Sequence, residues 1–269
     1  MTVQPLLAPT VPSAPRPVRT LVTLGDSTPV GLGDPLPGGG WRGFPVLLRA
    51  ALGAGTLVNT AVSGARTADV RRSQLPAALA AGPDVAVLCV GMNDTLRSDF
   101  DPVALEIDCA AAVHALCTRG VHVLMLRFHD HTRVFRLPGP LRRALQRRIT
   151  ALNAATDAVA ATDPAGISVL DLDRLPGGYD PAAWAVDRLH PSERGHRLLA
   201  AAFADLLAEA RFAVPHPVRL TCGGGREVTA AHRAAWLVAK GVPWLVRRGR
   251  DLGPVIVQGL VTELRGAVG

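Results

Sequence analysis

Lysine is almost missing from this chain. Of 29 basic residues, Lys240 is the one lysine and the others are arginine. The arginine bias accompanies abundant Ala, Gly and Pro, a composition that a GC-rich coding genome produces whatever the function. Aromatic residues are scarce too, at 4% of 269 positions. The densest basic groups are Arg142, Arg143, Arg147 and Arg148, and Arg247, Arg248 and Arg250. Aromatics do not interleave with either, so neither reads as a single-strand nucleic-acid platform, and both read as solvated helix faces. Four cysteines, Cys89, Cys109, Cys117 and Cys222, show no metal-binding spacing. Cys109 and Cys117 lie about 12 Å apart along one expected helix, too far for a bridge. No apolar run is long enough to cross a membrane. The proline-rich start, residues 1–18, lacks the basic-then-apolar pattern of a signal peptide and reads as a loose lead. Reduced thiols and a cytoplasmic location are the resulting expectations.

Small aliphatic residues are plentiful instead, and the chain is 48% hydrophobic despite its net charge of +7. Short continuous apolar runs at 19–24, 56–62, 84–90, 121–128 and 167–173 read as strands buried on both faces of a parallel sheet. Helical patterns follow each of them, at 41–52, 67–80, 101–120, 140–161 and 191–210. Asp101 is placed to cap the third, with Pro102 at its first position and Gly120 as its stop, and Ser192 opens the last. This alternation predicts an α/β fold: helices on both faces of a five-stranded doubly wound sheet over residues 19–212. Residues 213–269 break the rhythm. They read as a linker and an amphipathic helical appendage, with Trp236 and Trp244 suited to peripheral membrane contact.

The polar residues gather at one edge of that sheet. "GDS" at 25–27 follows the first strand, Gly64 the second, "GMND" at 91–94 the third, and "DRLH" at 187–190 the fifth. Gly-Asp-Ser alone is ordinary turn chemistry. Four such groups at strand C-terminal ends, where doubly wound sheets build sites, point to acyl transfer. Ser27 supplies a nucleophile, His190 a base, and Asp187 the group that fixes the imidazole tautomer. The N–H groups of Ser27 and Gly64 and the Asn93 side chain supply oxyanion donors. Asp26 and Asp94 read as braces for their loops, and Asp187 has an alternative reading as a helix cap.

In residue type, order and placement, these blocks resemble the SGNH hydrolases, also called GDSL esterases/lipases, over residues 21–200. The resemblance implies a three-layer α/β/α sandwich with a flavodoxin-like sheet. It implies a triad of Ser27, Asp187 and His190, an oxyanion hole from Ser27, Gly64 and Asn93, and no metal or other cofactor. Gly31 matches a further glycine of the first block. Thr28 stands where leucine is frequent and Met92 where a small residue is frequent, so both become candidates for shaping the acyl pocket. His129 and His131, after the fourth strand, read as loop residues near the substrate entrance, and His196 as a surface residue. Ser63 lacks the upstream glycine of a G-x-S-x-G elbow. The expected activity is hydrolysis of a small or medium acyl ester as small-molecule partner. Alternatives are acyl transfer to an alcohol by the same residues, or a non-catalytic binding protein of this fold.

Overall fold

The computed structural model describes residues 14–134, 137, 139–225, 229, 231 and 235. Five strands, β1 (Thr20–Gly25), β2 (Thr56–Asn59), β3 (Val85–Cys89), β4 (His122–Arg127) and β5 (Ile167–Asp171), pair in parallel in the order β2-β1-β3-β4-β5. Alternate residues leave opposite faces. Leu21, Val85, Val87, Leu124 and Leu126 meet α2 (Gly43–Leu52) and α8 (Glu193–Glu209) through Phe44, Leu48, Phe203 and Leu207. Val22, Leu24, Ala86, Leu88 and Val123 meet the other layer. That layer holds α3 (Thr67–Asp69), α4 (Leu75–Ala80), α6 (Pro102–Cys117) and α7 (Gly139–Ala160). The result is the expected three-layer sandwich. Two short helices, α1 (Ser27–Val30) and α5 (Met92–Thr95), sit directly after β1 and β3.

The strand order reverses between β1 and β3, which opens a crevice beyond their C-terminal ends. Glycine is required there. Gly25 has φ +140°, and a Cβ on it would lie 1.8 Å from the Cys89 carbonyl oxygen. Only a bare backbone lets β1 run this close to β3 and turn into Ser27.

The second expected strand is shorter than its apolar run. Asn59 accepts the Ala61 N–H and donates to the Pro29 carbonyl, so the chain leaves the sheet and forms the turn that carries Gly64. The expected helix over 67–80 is broken by a π turn at Val70–Gln74. Pro76 has no N–H to continue the α ladder. The turn seats Gln74 so that its amide both accepts from the Gly25 N–H and donates to the Gly25 carbonyl. Asp101 and Ser192 cap α6 and α8 as expected.

Two surface expectations need correction. His196 is fully buried, because it lies one turn before Leu199 and Ala200 on the core stripe of α8. Its Nδ1 accepts the Phe44 N–H, and its Nε2–H donates to the Leu32 carbonyl. Arg148 is not a solvated arginine. It donates to the Thr95 carbonyl at 2.8 Å and to the Arg97 carbonyl, holding the loop behind α5.

The start of the described chain is tied down as well. Arg16 bridges to Phe212, exchanges backbone hydrogen bonds with Arg211 and Ala213, and stacks on the Phe212 ring, while Val18 is buried. Residues 14–18 therefore belong to the α/β unit rather than to a loose lead. Beyond α8 the chain climbs from the far end of α2, where His216 N–H meets the Ala51 carbonyl, back to the cleft end. There Gly223 is gripped by Arg42, Arg197 and Glu193. The expected helical appendage and its membrane contact, with Trp236 and Trp244, lie outside the described residues. Among the described residues no helix is long and apolar enough to cross a membrane.

Candidate active site

Ser27 is the first residue of α1, delivered by β1 and capped by Asp26, whose carboxylate accepts the Thr28 N–H. From the far side of the crevice, the loop before α8 brings His190. Its Nε2 lies 2.8 Å from Ser27 Oγ, and its Nδ1 lies 2.6 Å from Asp187 Oδ2. Asp187 Oδ1 accepts the N–H groups of Leu189 and His190 at 2.9 and 3.0 Å. Asp187 thus organises its own loop rather than capping α8, a job that Ser192 does. Arg188, between them, has φ +56°, an αL conformation uncommon for a residue with a side chain.

The charges fit a proton relay. Burial pushes the Asp187 carboxyl up, but the His190 bond and charge and the two N–H groups outweigh it, and Asp187 titrates below the ordinary range. It is a standing acceptor for the His190 Nδ1–H, which leaves Nε2 with a lone pair facing Ser27. Such a line can take the hydroxyl proton as the oxygen attacks a carbonyl.

Three loops bring groups that can donate to an oxyanion formed beside Ser27. Among the described residues neither the Ser27 N–H nor the Gly64 N–H donates to a protein acceptor. Gly64 has φ +84° and open space around it. Asn93, on α5, directs its amide to Asp26 Oδ2 at 3.3 Å and to the Ala65 carbonyl at 3.2 Å. Asp94 ties the loops together by accepting from Thr67 N–H and Arg66. Asp26 is buried, which raises its carboxyl to about 6 against the lowering effects of the Thr28 N–H and His190.

The cleft between these loops measures about 530 Å³. Thr28 and Met92 line it, as the sequence suggested. His129 and His131 line it too, but as buried inner wall rather than entrance. The reason is a relay of their own: the two rings meet at 3.0 Å, and His131 Nε2 donates to the Arg188 carbonyl at 3.0 Å. Nearby, Arg133 stacks on Tyr179, and Arg127 pairs with Asp157 and Asp171. The apolar wall of Leu96, Leu126, Phe128, Leu172, Trp184 and Leu189 escaped sequence reading. Trp184 offered the one usable signal, as a rare aromatic three residues before Asp187. Among the described residues no group of three His, Cys, Asp or Glu is arranged to hold a metal ion.

The buried histidines have a consequence for stability. Burial keeps His129 and His196 neutral down to about 4 and, with help from His129, keeps His131 neutral to about 3. Unfolded, each takes a proton below about 6.5. The unfolded state therefore binds more protons than the native state between about 6.5 and 4, and stability falls as pH falls through that window. Asp26 opposes this with a single proton between about 4 and 6. The urea midpoint is expected to drop steadily from pH 7 to pH 4.5. A flat midpoint would mean that these rings are not neutral and enclosed.

No curated protein matches the sequence. Among solved structures, the chain resembles LAE5, an alpha/beta hydrolase enzyme from the metagenome of Lake Arreo, Spain. That match has 24% identity and a TM-score of 0.57, covering 72% of this chain and 96% of LAE5. It resembles TesA at 26% identity and a TM-score of 0.54, covering 71% and 99% of the two chains. It also resembles Axe2, an acetylxylan esterase from Geobacillus stearothermophilus, at 22% identity and a TM-score of 0.55, covering 74% and 96%. The sequence itself matches the profile of the GDSL-like Lipase/Acylhydrolase family over residues 23–198, a span that holds Ser27, Gly64, Asn93, Asp187 and His190. With that span covering well over half of its length, the chain belongs to the GDSL-like lipase/acylhydrolase family and is a carboxylic ester hydrolase.

Proposed function

We propose that the chain hydrolyses esters of small to medium acyl groups through a covalent acyl-Ser27 intermediate. The observation that carries this reading is the Ser27 Oγ–His190 Nε2 contact of 2.8 Å at the mouth of an apolar cleft. His190 takes the Ser27 proton while Oγ bonds to the ester carbonyl carbon. The carbonyl oxygen gains the negative charge and turns toward the N–H groups of Ser27 and Gly64 and the amide of Asn93. The neutral Ala65 carbonyl is a weaker acceptor for the Asn93 amide than a charged oxygen, so the oxyanion displaces it. Collapse expels the alcohol, which receives the proton from His190. Water then gives its proton to His190 as it attacks the acyl-enzyme, and the carboxylic acid leaves as Ser27 is reprotonated. Asp187 keeps the imidazole in one tautomer throughout.

The direct test is covalent. A serine-reactive alkyl phosphonate should label the protein once per chain, and peptide mass spectrometry should place the adduct on Ser27. Adduct elsewhere, or none with folded protein, would reject the intermediate. A chelator should leave p-nitrophenyl ester hydrolysis unchanged. Asn93→Ala is expected to lower kcat about 10²- to 10³-fold with little change in KM, because the amide serves the oxyanion rather than the bound ester. A loss confined to KM would move Asn93 into substrate binding.

A further inference from the structure

A second, apolar pocket adjoins the cleft; it is half open to solvent, spans about 320 Å³ with the solvent at its mouth, and is lined by Leu175, Gly178, Ala183 and Leu198 among others. The two cavities share four wall residues: His129, Leu172, Trp184 and Pro191. A residue that lines both cavities is a partition between them. Trp184 is its largest member, and it is held from several directions. Its indole N–H donates to the Gly178 carbonyl at 2.9 Å. Its ring packs on His129 and stands edge-on to His131, both with centroids 4.9 Å apart. Behind it the two histidines bond to each other, and His131 bonds to the Arg188 carbonyl.

We propose that Trp184 is the end wall of the acyl pocket and sets the length of acyl chain that this enzyme accepts. The adjoining pocket, open to solvent, is the space that longer chains enter when the indole is removed. The inference rests on the reading of Ser27 as the acylated residue, and it adds which side chain fixes the substrate class. The occupant follows from chemistry. His190 must return a proton to the departing alcohol, which therefore faces solvent past His190. The acyl chain is left the apolar wall of Leu126, Phe128 and Leu172 that ends at Trp184. Each methylene moved from water into such a wall is worth about fourfold in binding.

The test is the ratio of kcat/KM on p-nitrophenyl dodecanoate to that on the butanoate, for wild type, Trp184→Ala and Trp184→Phe. The wild-type ratio is expected below one. Trp184→Ala is expected to raise it about tenfold or more, and Trp184→Phe by less, since a phenyl ring fills more of the gap. An unchanged ratio in either folded variant overturns the proposal. So does a shift seen when the alcohol is lengthened in alkyl acetates and not when the acyl group is. Calorimetric binding of decanoate and butanoate gives a readout without turnover. Tighter decanoate binding by Trp184→Ala than by wild type supports the end wall even if the wild type hydrolyses none of these esters. Equal binding overturns it. Failure of the Ser27 reading would show separately, as absent phosphonate labelling.

Discussion

Ser27→Ala is expected to lower kcat on p-nitrophenyl acetate by about 10⁶-fold. The size follows from what the substitution removes. Without Oγ there is no atom for the carbonyl carbon to bond to, and the lone pair on His190 Nε2 faces a methyl group. The oxyanion donors on Gly64 and Asn93 remain, so a water-driven residue of rate enhancement survives. The fold should not notice. Ser27 is a half-buried residue of a four-residue helix, its cap comes from Asp26, and alanine tolerates helical backbone. Matching thermal unfolding curves with a lost activity would identify the hydroxyl as chemistry. Equal activity in the two proteins would make Gly25-Asp26-Ser27 a turn and nothing more.

Asp187→Asn should cost about 10⁴-fold in kcat, with KM little changed. The direction follows from the loop geometry. Asp187 Oδ1 accepts two backbone N–H groups, from Leu189 and His190. An asparagine must point its carbonyl oxygen at those donors, so its NH₂ is forced toward His190 Nδ1. A donor there makes Nδ1 the acceptor and moves the imidazole proton to Nε2, where it faces Ser27 Oγ. The base is then protonated on its working nitrogen although the shape is preserved. Asp187→Ala lacks that forced tautomer but also loses the acceptor for two N–H groups, so it should lose more stability than the asparagine variant. If Asp187→Asn retains wild-type kcat, the carboxylate is a loop organiser only.

Much of this was legible because parallel strands announce themselves. Val85–Cys89 is buried throughout, and a strand buried on both faces must be apolar at every position. Capping chemistry marked Asp101 and Ser192 for the same local reason. The polar blocks were legible because acyl transfer needs a few residue types at strand ends. What escaped was whatever long-range packing decides. Phe128 and Leu189 are indistinguishable in sequence from core residues until the loops bring them round Ser27. His196 read as surface because a histidine looks polar, although its spacing from Leu199 and Ala200 put it on the buried stripe. The contact of Asn93 with Asp26 joins residues 67 positions apart, and no local pattern encodes it.

The path of the chain after α8 has a practical side. By climbing along α2 it sets Cys222 just before Gly223, whose N–H donates to Glu193 in the first turn of α8. Of the four thiols, Cys222 is the exposed one, Cys89 and Cys109 are enclosed with their ionisation suppressed by burial, and Cys117 is half-buried. A maleimide dye used at limiting concentration will therefore mark Cys222 ahead of the others. The molecule carries a built-in attachment point for a fluorescent reporter near the start of α8, without any engineered cysteine.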